Sequence, residues 1–232
     1  MNLLAIETST EYCSVALLHG GALTERSELA PRRHAELVLP MAESLLAEAG
    51  LKRAQLHGIA VGRGPGAFTG VRLAISVAQG LAFALGLPVV TVSSLAALAM
   101  QAPRSEAATL AVIDARMGEV YAGAFAFDAN GLAQPLDEER VARAEDLSLP
   151  DAEGWNVIGS GWDAYRDALL SRVPSRLWAE GERYPQARDV ARLALPRFQA
   201  GDVLPPERAL PVYLRDKVAF TVVEREAKSQ ES

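Results

Sequence analysis

The chain has 232 residues, half of them hydrophobic and 6% aromatic, with a formal net charge of −6. That length supports one large or two small domains with real cores. The acidic balance removes any general attraction to a phosphate backbone, so a nucleic-acid substrate would need another subunit as its main platform.

The chain opens with two apolar runs, Leu3-Leu-Ala-Ile6 and Cys13-Ser-Val-Ala-Leu-Leu18. Glu7-Thr-Ser-Thr-Glu11 joins them and Gly20-Gly21 makes the next turn, which predicts a β-meander. The joining turn carries two carboxylates and reads either as a solvated hairpin tip or as a holder of Mg²⁺ through water. Cys13, the single cysteine, excludes an internal disulfide and reads as a buried small hydrophobe. Met1 to Gly20 lacks the basic start of a signal peptide. No eighteen-residue apolar run free of polar interruption marks a membrane span, so a cytoplasmic protein is expected.

Pro31-Arg-Arg-His34 starts a long helix that runs through Ala49, with Gly50 as its stop and Pro40 inside it. Its apolar arc spans roughly 200° of the wheel. Leu37, Val38, Met41 and Leu45 form one flank in line with His34; Leu39 and Leu46 form the other. One flank can pack on a sheet while the other stays available.

From Gly58 to Ser93 the sequence reads strand, glycine-rich turn, helix, strand, a βαβ unit. The turn is Gly62-Arg-Gly64-Pro65-Gly66-Ala67-Phe68-Thr69-Gly70. No lysine follows as a P-loop requires. Gly62-x-Gly64-x-x-Ala67 fits the dinucleotide fingerprint in form, but no acid occurs between Glu48 and Glu106 to hold a ribose. A tight turn seating a helix against a sheet remains the plain alternative. The helix, Phe68 to Leu85, has almost no polar face. Arg72, Ser76 and Gln79 fall in one narrow arc with Phe83; Gly70, Ala74, Val77, Leu81 and Ala84 form the opposite stripe, suited to close approach to a sheet.

Ser93 or Ser94 caps a short helix from Leu95 to Gln101. Pro103-Arg-Ser-Glu-Ala107 reads as a linker. A strand, Leu110-Ala-Val-Ile113, then leads through Asp114-Ala-Arg-Met-Gly118 to a return from Glu119 to Phe127. Ile6-Glu7 falls on Ile113-Asp114, and Val15-Ala16 on Ala122-Gly123, a weak internal duplication. It predicts two lobes, residues 1–105 and 106–232. Asp137 to Arg140 read as a solvated loop. Trp155-Asn-Val-Ile158, Gly159-Ser-Gly161 and a helix through Leu170 follow, then a helix from Asp189 to Gln199 interrupted by Pro196. Pro211-Val-Tyr-Leu-Arg215 reads as extended, and the end from Thr221 as frayed. His19, His34 and His57 have no metal-ligand spacing, and no G-x-S-x-G elbow marks a serine hydrolase.

Gly64-Pro-Gly-Ala-Phe-Thr-Gly-Val-Arg72, with Ile6-Glu-Thr-Ser-Thr10, Arg32-Arg-His-Ala-Glu36 and Pro211-Val-Tyr-Leu-Arg215, resembles the TsaB (YeaZ) family over most of the chain. Glu7 stands where these proteins often carry Asp. The resemblance implies an α/β, actin-like fold of the sugar-kinase and Hsp70 ATPase type, with a reduced second lobe. It implies a role in threonylcarbamoyladenosine modification of tRNA as a non-catalytic, activating subunit. The expected partners are TsaD, as a heterodimer, and the ATPase TsaE; the isolated chain is expected to form a homodimer. tRNA would be met only through the complex, and no membrane is involved.

No cofactor is expected on this chain alone; a nucleotide would sit, if anywhere, at a partner interface. In that superfamily the first turn touches nucleotide phosphates, and a strand, glycines and helix like Trp155–Leu170 contact adenosine. TsaD carries an H-x-x-x-H metal motif where this chain has Ser94-Leu-Ala-Ala-Leu98. The family's motif loop corresponds to Gly64, Pro65, Gly66, Phe68, Thr69 and Gly70. The expected partner face is the pair of stripes His34, Val38, Met41, Leu45 and Arg72, Ser76, Gln79, Phe83. The alternative is an independent ATPase or kinase of the same superfold, using Glu7, Asp114 and Gly159-Ser-Gly161.

Overall fold

A computed structural model describes residues 1–215. The first sheet contains β1 (Leu3–Glu7), β2 (Tyr12–His19), β3 (Ala22–Leu29), β4 (Gly58–Gly62) and β5 (Val89–Val92), in the order β3-β2-β1-β4-β5. Antiparallel pairing joins β1 to β2 and β2 to β3, whereas β4 and β5 run parallel to β1. Alternation along the strands sorts their side chains onto two faces. Leu4, Ile6, Val15 and Ile59 face α1 (His34–Glu48) and α2 (Phe68–Leu85). Leu3, Ala5, Ala16 and Ala60 face the other way, onto α6 (Ala187–Ala200).

The second sheet contains β6 (Ala108–Arg116), β7 (Glu119–Phe127), β8 (Ala133–Pro135), β10 (Trp155–Ile158) and β11 (Arg176–Glu180), in the order β11-β10-β6-β7-β8, with β9 (Arg140–Arg143) also paired to β7. β6 and β7 are antiparallel, and β10 and β11 run parallel to β6. Both sheets therefore follow one plan, the α/β actin-like architecture expected from sequence. The alignment of the halves needs one correction. Ile6 pairs with Val15, but its counterpart Ile113 pairs with Tyr121 and not Ala122. The second connection is one residue shorter, so the return strand slips by one, which exchanges its faces.

α2 keeps the predicted limits because the glycine loop starts it and Gly86, at φ 64°, ends it in the left-handed conformation that favours glycine. α1 begins at His34, three residues later than expected. α2 is long and apolar enough by composition to cross a membrane; here Gly70, Ala74, Ala78 and Ala82 seat it on the first sheet. In the second half the counterpart of α1 is one turn of 3-10 helix, Ala144–Asp146, and that of α2 is two short helices, α4 (Ser160–Ala164) and α5 (Arg166–Leu170).

The two sheets separate between β5 and β6, near the expected division into 1–105 and 106–232, but two helices cross it. α3 (Ser94–Ala99), capped by the Ser93 hydroxyl, lies within the first range, yet Leu95, Leu98 and Ala99 pack with Ile113, Phe125 and Ile158 of the second sheet. α6 lies within the second range, yet Val190, Ala191, Ala194 and Phe198 cover the first sheet. Each half sends its last helix to the other. The expectation of a frayed end from Thr221 lies outside the described residues.

Candidate functional site

The glycine loop before α2 is laid directly on the β1–β2 turn. The Ala67 N–H donates to the Ser9 carbonyl at 2.7 Å, and the Thr8 hydroxyl donates to the Gly70 carbonyl at 2.7 Å. A Cβ on Gly70 would lie 2.0 Å from the Thr8 carbonyl oxygen, and one on Gly66 2.3 Å from that of Ser9. Glycine is required here for backbone-to-backbone contact. The loop is filled by its own protein, and of its atoms the Ala67 N–H is already taken.

Glu7 corrects both readings of the first turn. Its carboxylate is neither solvated nor open to an ion: it is buried, accepting from the Ser9 N–H at 2.6 Å and from the Ser94 hydroxyl at 2.8 Å. Gly62 approaches so closely that a Cβ there would meet Glu7 Oε2 at 2.0 Å. Burial pushes the Glu7 carboxyl above the ordinary carboxylate range, against the lowering by the Ser9 side chain and N–H and by the Ser94 hydroxyl. Ser94, at the place of the metal motif's first histidine, thus serves a buried carboxyl.

The corresponding turn in the second half is open. Asp114 accepts from the Arg116 N–H at 2.7 Å and the Tyr165 hydroxyl at 3.0 Å, and pairs with the Arg116 guanidinium at 2.8 Å. The same guanidinium reaches across to Glu11 at 3.0 Å and joins the two halves. Arg116 and Met117 hold φ of 65° and 60°, unusual for residues with side chains. Gly159, from the adenosine-type motif, is a packing residue: a Cβ there would sit 2.2 Å from the Val112 carbonyl.

Between the two turns lies a cavity of about 220 Å³. The extended segment Pro211–Arg215 runs beside it. The Val212 N–H donates to the Arg63 carbonyl at 2.9 Å, the Tyr213 hydroxyl accepts from Arg72 Nε at 2.6 Å, and the Arg215 guanidinium bonds the Ala115 carbonyl at 3.0 Å and pairs with Glu119. Tyr213 and Arg215 are cavity residues that sequence reasoning left without a role. Their alternation around Leu214 was the available signal.

The two expected stripes separate on inspection. Val38 and Leu45 are each 1% exposed and belong to the core against the first sheet, so they form no partner face. Met41 is half-buried against the same core. The His34 Nε2 donates to the Thr10 carbonyl at 2.9 Å. On α2, Arg72 stacks over Phe68 at 3.7 Å, Gln79 donates to the Ala209 carbonyl at 3.0 Å, and Ser76 is exposed. Phe83 stands 80% exposed and, on α1, Leu39 44%. On α1 only Leu39 of the second flank faces solvent; its flank-mate Leu46, 5% exposed, joins Val38 and Leu45 in the core. Phe83 lines a shallow cavity of about 490 Å³ with Ser76, Gln79 and Pro206. Of the family loop, Phe68 and Thr69 are exposed while Gly64, Pro65 and Gly70 are buried. Among the described residues, no group of three or more His, Cys, Asp or Glu could hold a metal ion.

Residues 24–218 match the family model TsaD, described as tRNA N6-adenosine threonylcarbamoyltransferase. The tRNA threonylcarbamoyladenosine biosynthesis protein TsaB of Escherichia coli is 41% identical over 95% of this chain and 97% of that protein. The protein of the same name from Haemophilus influenzae is 36% identical over 95% and 96%. Among solved structures, YeaZ from Pseudomonas aeruginosa superposes with a TM-score of 0.84 at 45% identity, covering 92% of this chain and 99% of that one.

Proposed function

The chain belongs to the TsaB (YeaZ) family, and from that premise we propose that it acts in tRNA threonylcarbamoyladenosine biosynthesis as a non-catalytic subunit. It docks on TsaD through the outer face of α2 and the exposed Leu39 of α1, and activates TsaD together with the ATPase TsaE. Alone it pairs with a second copy through the same face, in the cytoplasm; it meets tRNA only within the complex.

The observation that carries this reading is Phe83, 80% exposed on a helix whose opposite face already seats the sheet. A large aromatic so placed suits a binding anchor. The absence of independent catalysis is supported by the filled glycine loop and by Ser94 bound to Glu7. The alternative ATPase or kinase would use Glu7 and Gly159, and here Glu7 is buried on Ser9 and Ser94 while Gly159 packs on the Val112 carbonyl.

The test is the mass of the mixture of this chain with TsaD by light scattering. A heterodimer is expected. Phe83→Glu should leave circular dichroism unchanged and abolish both association with TsaD and self-association, because a charge would be desolvated unpaired; Phe83→Ala should weaken affinity by about 2 kcal/mol, roughly thirtyfold. Unaltered association of a folded Phe83→Glu protein would remove the proposed face. ATP turnover above about 1 s⁻¹ by the chain alone, lost in Asp114→Ala, would overturn the non-catalytic assignment.

A further inference from the structure

We infer that two copies of this chain pair antiparallel along α2, each seating its Arg72 in the recess that the other forms between Phe83 and Glu207. The inference rests on the proposed self-association through this face and supplies its register. Arg72 and Glu207 are exposed, and among the described residues neither has an ion-pair partner. They stand at opposite ends of one surface. Arg72 and Phe83 lie about 16 Å apart along the helix axis. At the Phe83 end, the 3-10 turn Pro206–Arg208 packs beside α2 and places Glu207 in the wall of the same shallow cavity as Phe83.

Such a surface is complementary to itself. A two-fold axis crossing α2 between Ser76 and Gln79 carries each end onto the other, so every Arg72 meets a Glu207. The guanidinium also lands on the exposed ring of Phe83. A parallel pairing would set arginine against arginine and glutamate against glutamate. Arg72 is held ready for this contact. It lies over the Phe68 ring at 3.7 Å, and its Nε donates to the Tyr213 hydroxyl at 2.6 Å. Its terminal N–H groups make no hydrogen bond among the described residues, and ordering the side chain in advance lowers the cost of pairing. Gly80 lies between the two ends and is exposed. Glycine is unfavourable inside a helix, and a Cβ here would meet nothing within 4 Å of its own chain. Its own fold does not ask for glycine at this position; the close approach of a second helix does. The net charge of −6 opposes association of two copies in general, so the attraction is local.

The test is the dissociation constant for self-association of the full chain, read by sedimentation over a concentration series, with association to TsaD measured beside it. Arg72→Glu and Glu207→Arg should each weaken self-association by about tenfold or more, because like charges then face each other. The double variant exchanges the charges and should return to within about threefold of the parent. Both Arg72→Glu proteins lack the bond to Tyr213, so a merely structural role for Arg72 produces no such rescue. Should Arg72→Glu misfold, Arg72→Gln and Glu207→Gln take its place, and their losses should not add. Absence of rescue, or of non-additivity in the neutral pair, overturns the register. Unchanged self-association in the single variants, while Phe83→Glu abolishes it, overturns the register and leaves the face standing. Self-association that survives in a folded Phe83→Glu protein, or a parent that is monomeric throughout, removes the face and the register together. Weakening confined to TsaD binding assigns the two charges to that partner and also overturns the inference.

Discussion

The two halves share a strand order and differ in what occupies the turn at the end of the first strand. In the first half, the Glu7–Glu11 turn is closed over by the glycine loop, and its leading acid is sealed inside by Ser9 and Ser94. In the second half, the acid at the equivalent place, Asp114, is tied to an exposed arginine that looks into the cleft. One topology thus supports a consolidated turn and an open one. Topology places a turn at the cleft, and only close packing decides whether it can receive anything.

The comparison is tested first where packing is tightest. Leu45→Ala, in the core of the closed half, should cost about 2–5 kcal/mol in urea unfolding, whereas Leu39→Ala on the same helix should fall within about 0.5 kcal/mol of the parent. Equal losses would show that α1 does not seat as described. Gly70→Ala forces a methyl group against the Thr8 carbonyl and should cost about 1–3 kcal/mol, while Gly118→Ala in the open turn meets no atom within 4 Å and suffers only from its positive φ. A Gly70→Ala protein as stable as the parent would mean the loop is not laid on the turn.

A smaller effect follows from Glu7. Its folded carboxyl titrates above its unfolded value, so the folded state holds its proton longer. The associated stability is complete below the unfolded pKa and is lost as pH rises through the folded one. Glu7→Gln should therefore gain stability relative to the parent as pH rises above the ordinary carboxylate range and through the raised folded pKa. A stability difference independent of pH across that window would contradict the sealed carboxyl. The smallest expected change is Arg116→Gln, which removes the ion pairs of an exposed guanidinium to Glu11 and to the mostly buried Asp114, whose carboxylate keeps the backbone N–H of residue 116 and the Tyr165 hydroxyl, and should cost about 1 kcal/mol. A larger loss would mean that the arginine, and not the crossed helices, holds the halves together.

Regular elements were readable where local chemistry fixes both ends. The limits of α2, Phe68 to Leu85, follow from the glycine loop and Gly86. β7 and β10 likewise stand where their β-branched and aromatic runs place them. β3 was visible only through the turn before it, since Thr24-Glu25-Arg26-Ser27-Glu28 on an edge strand shows little apolar alternation. The flanks of α1 were illegible because both sides of its wide arc are equally apolar, and only the position of the sheet selects Val38, Leu45 and Leu46, drawn from both sides, over Leu39. The contact between Glu7 and Ser94 spans 87 residues, and no spacing rule reports such a pair. The same holds for α6, whose amphipathic pattern announces a buried face without saying which sheet it covers.

The exchange of α3 and α6 makes each half the lid of the other's core. A chain severed in the linker between Gln101 and Ala108 should yield two pieces that are each incompetent to fold alone, because each exposes an apolar sheet face and carries an orphan helix. Mixed together, they should restore the native circular dichroism as an obligate non-covalent pair. The protein is a natural candidate for a split-fragment reporter, in which assembly of two inert pieces recreates one cooperative unit.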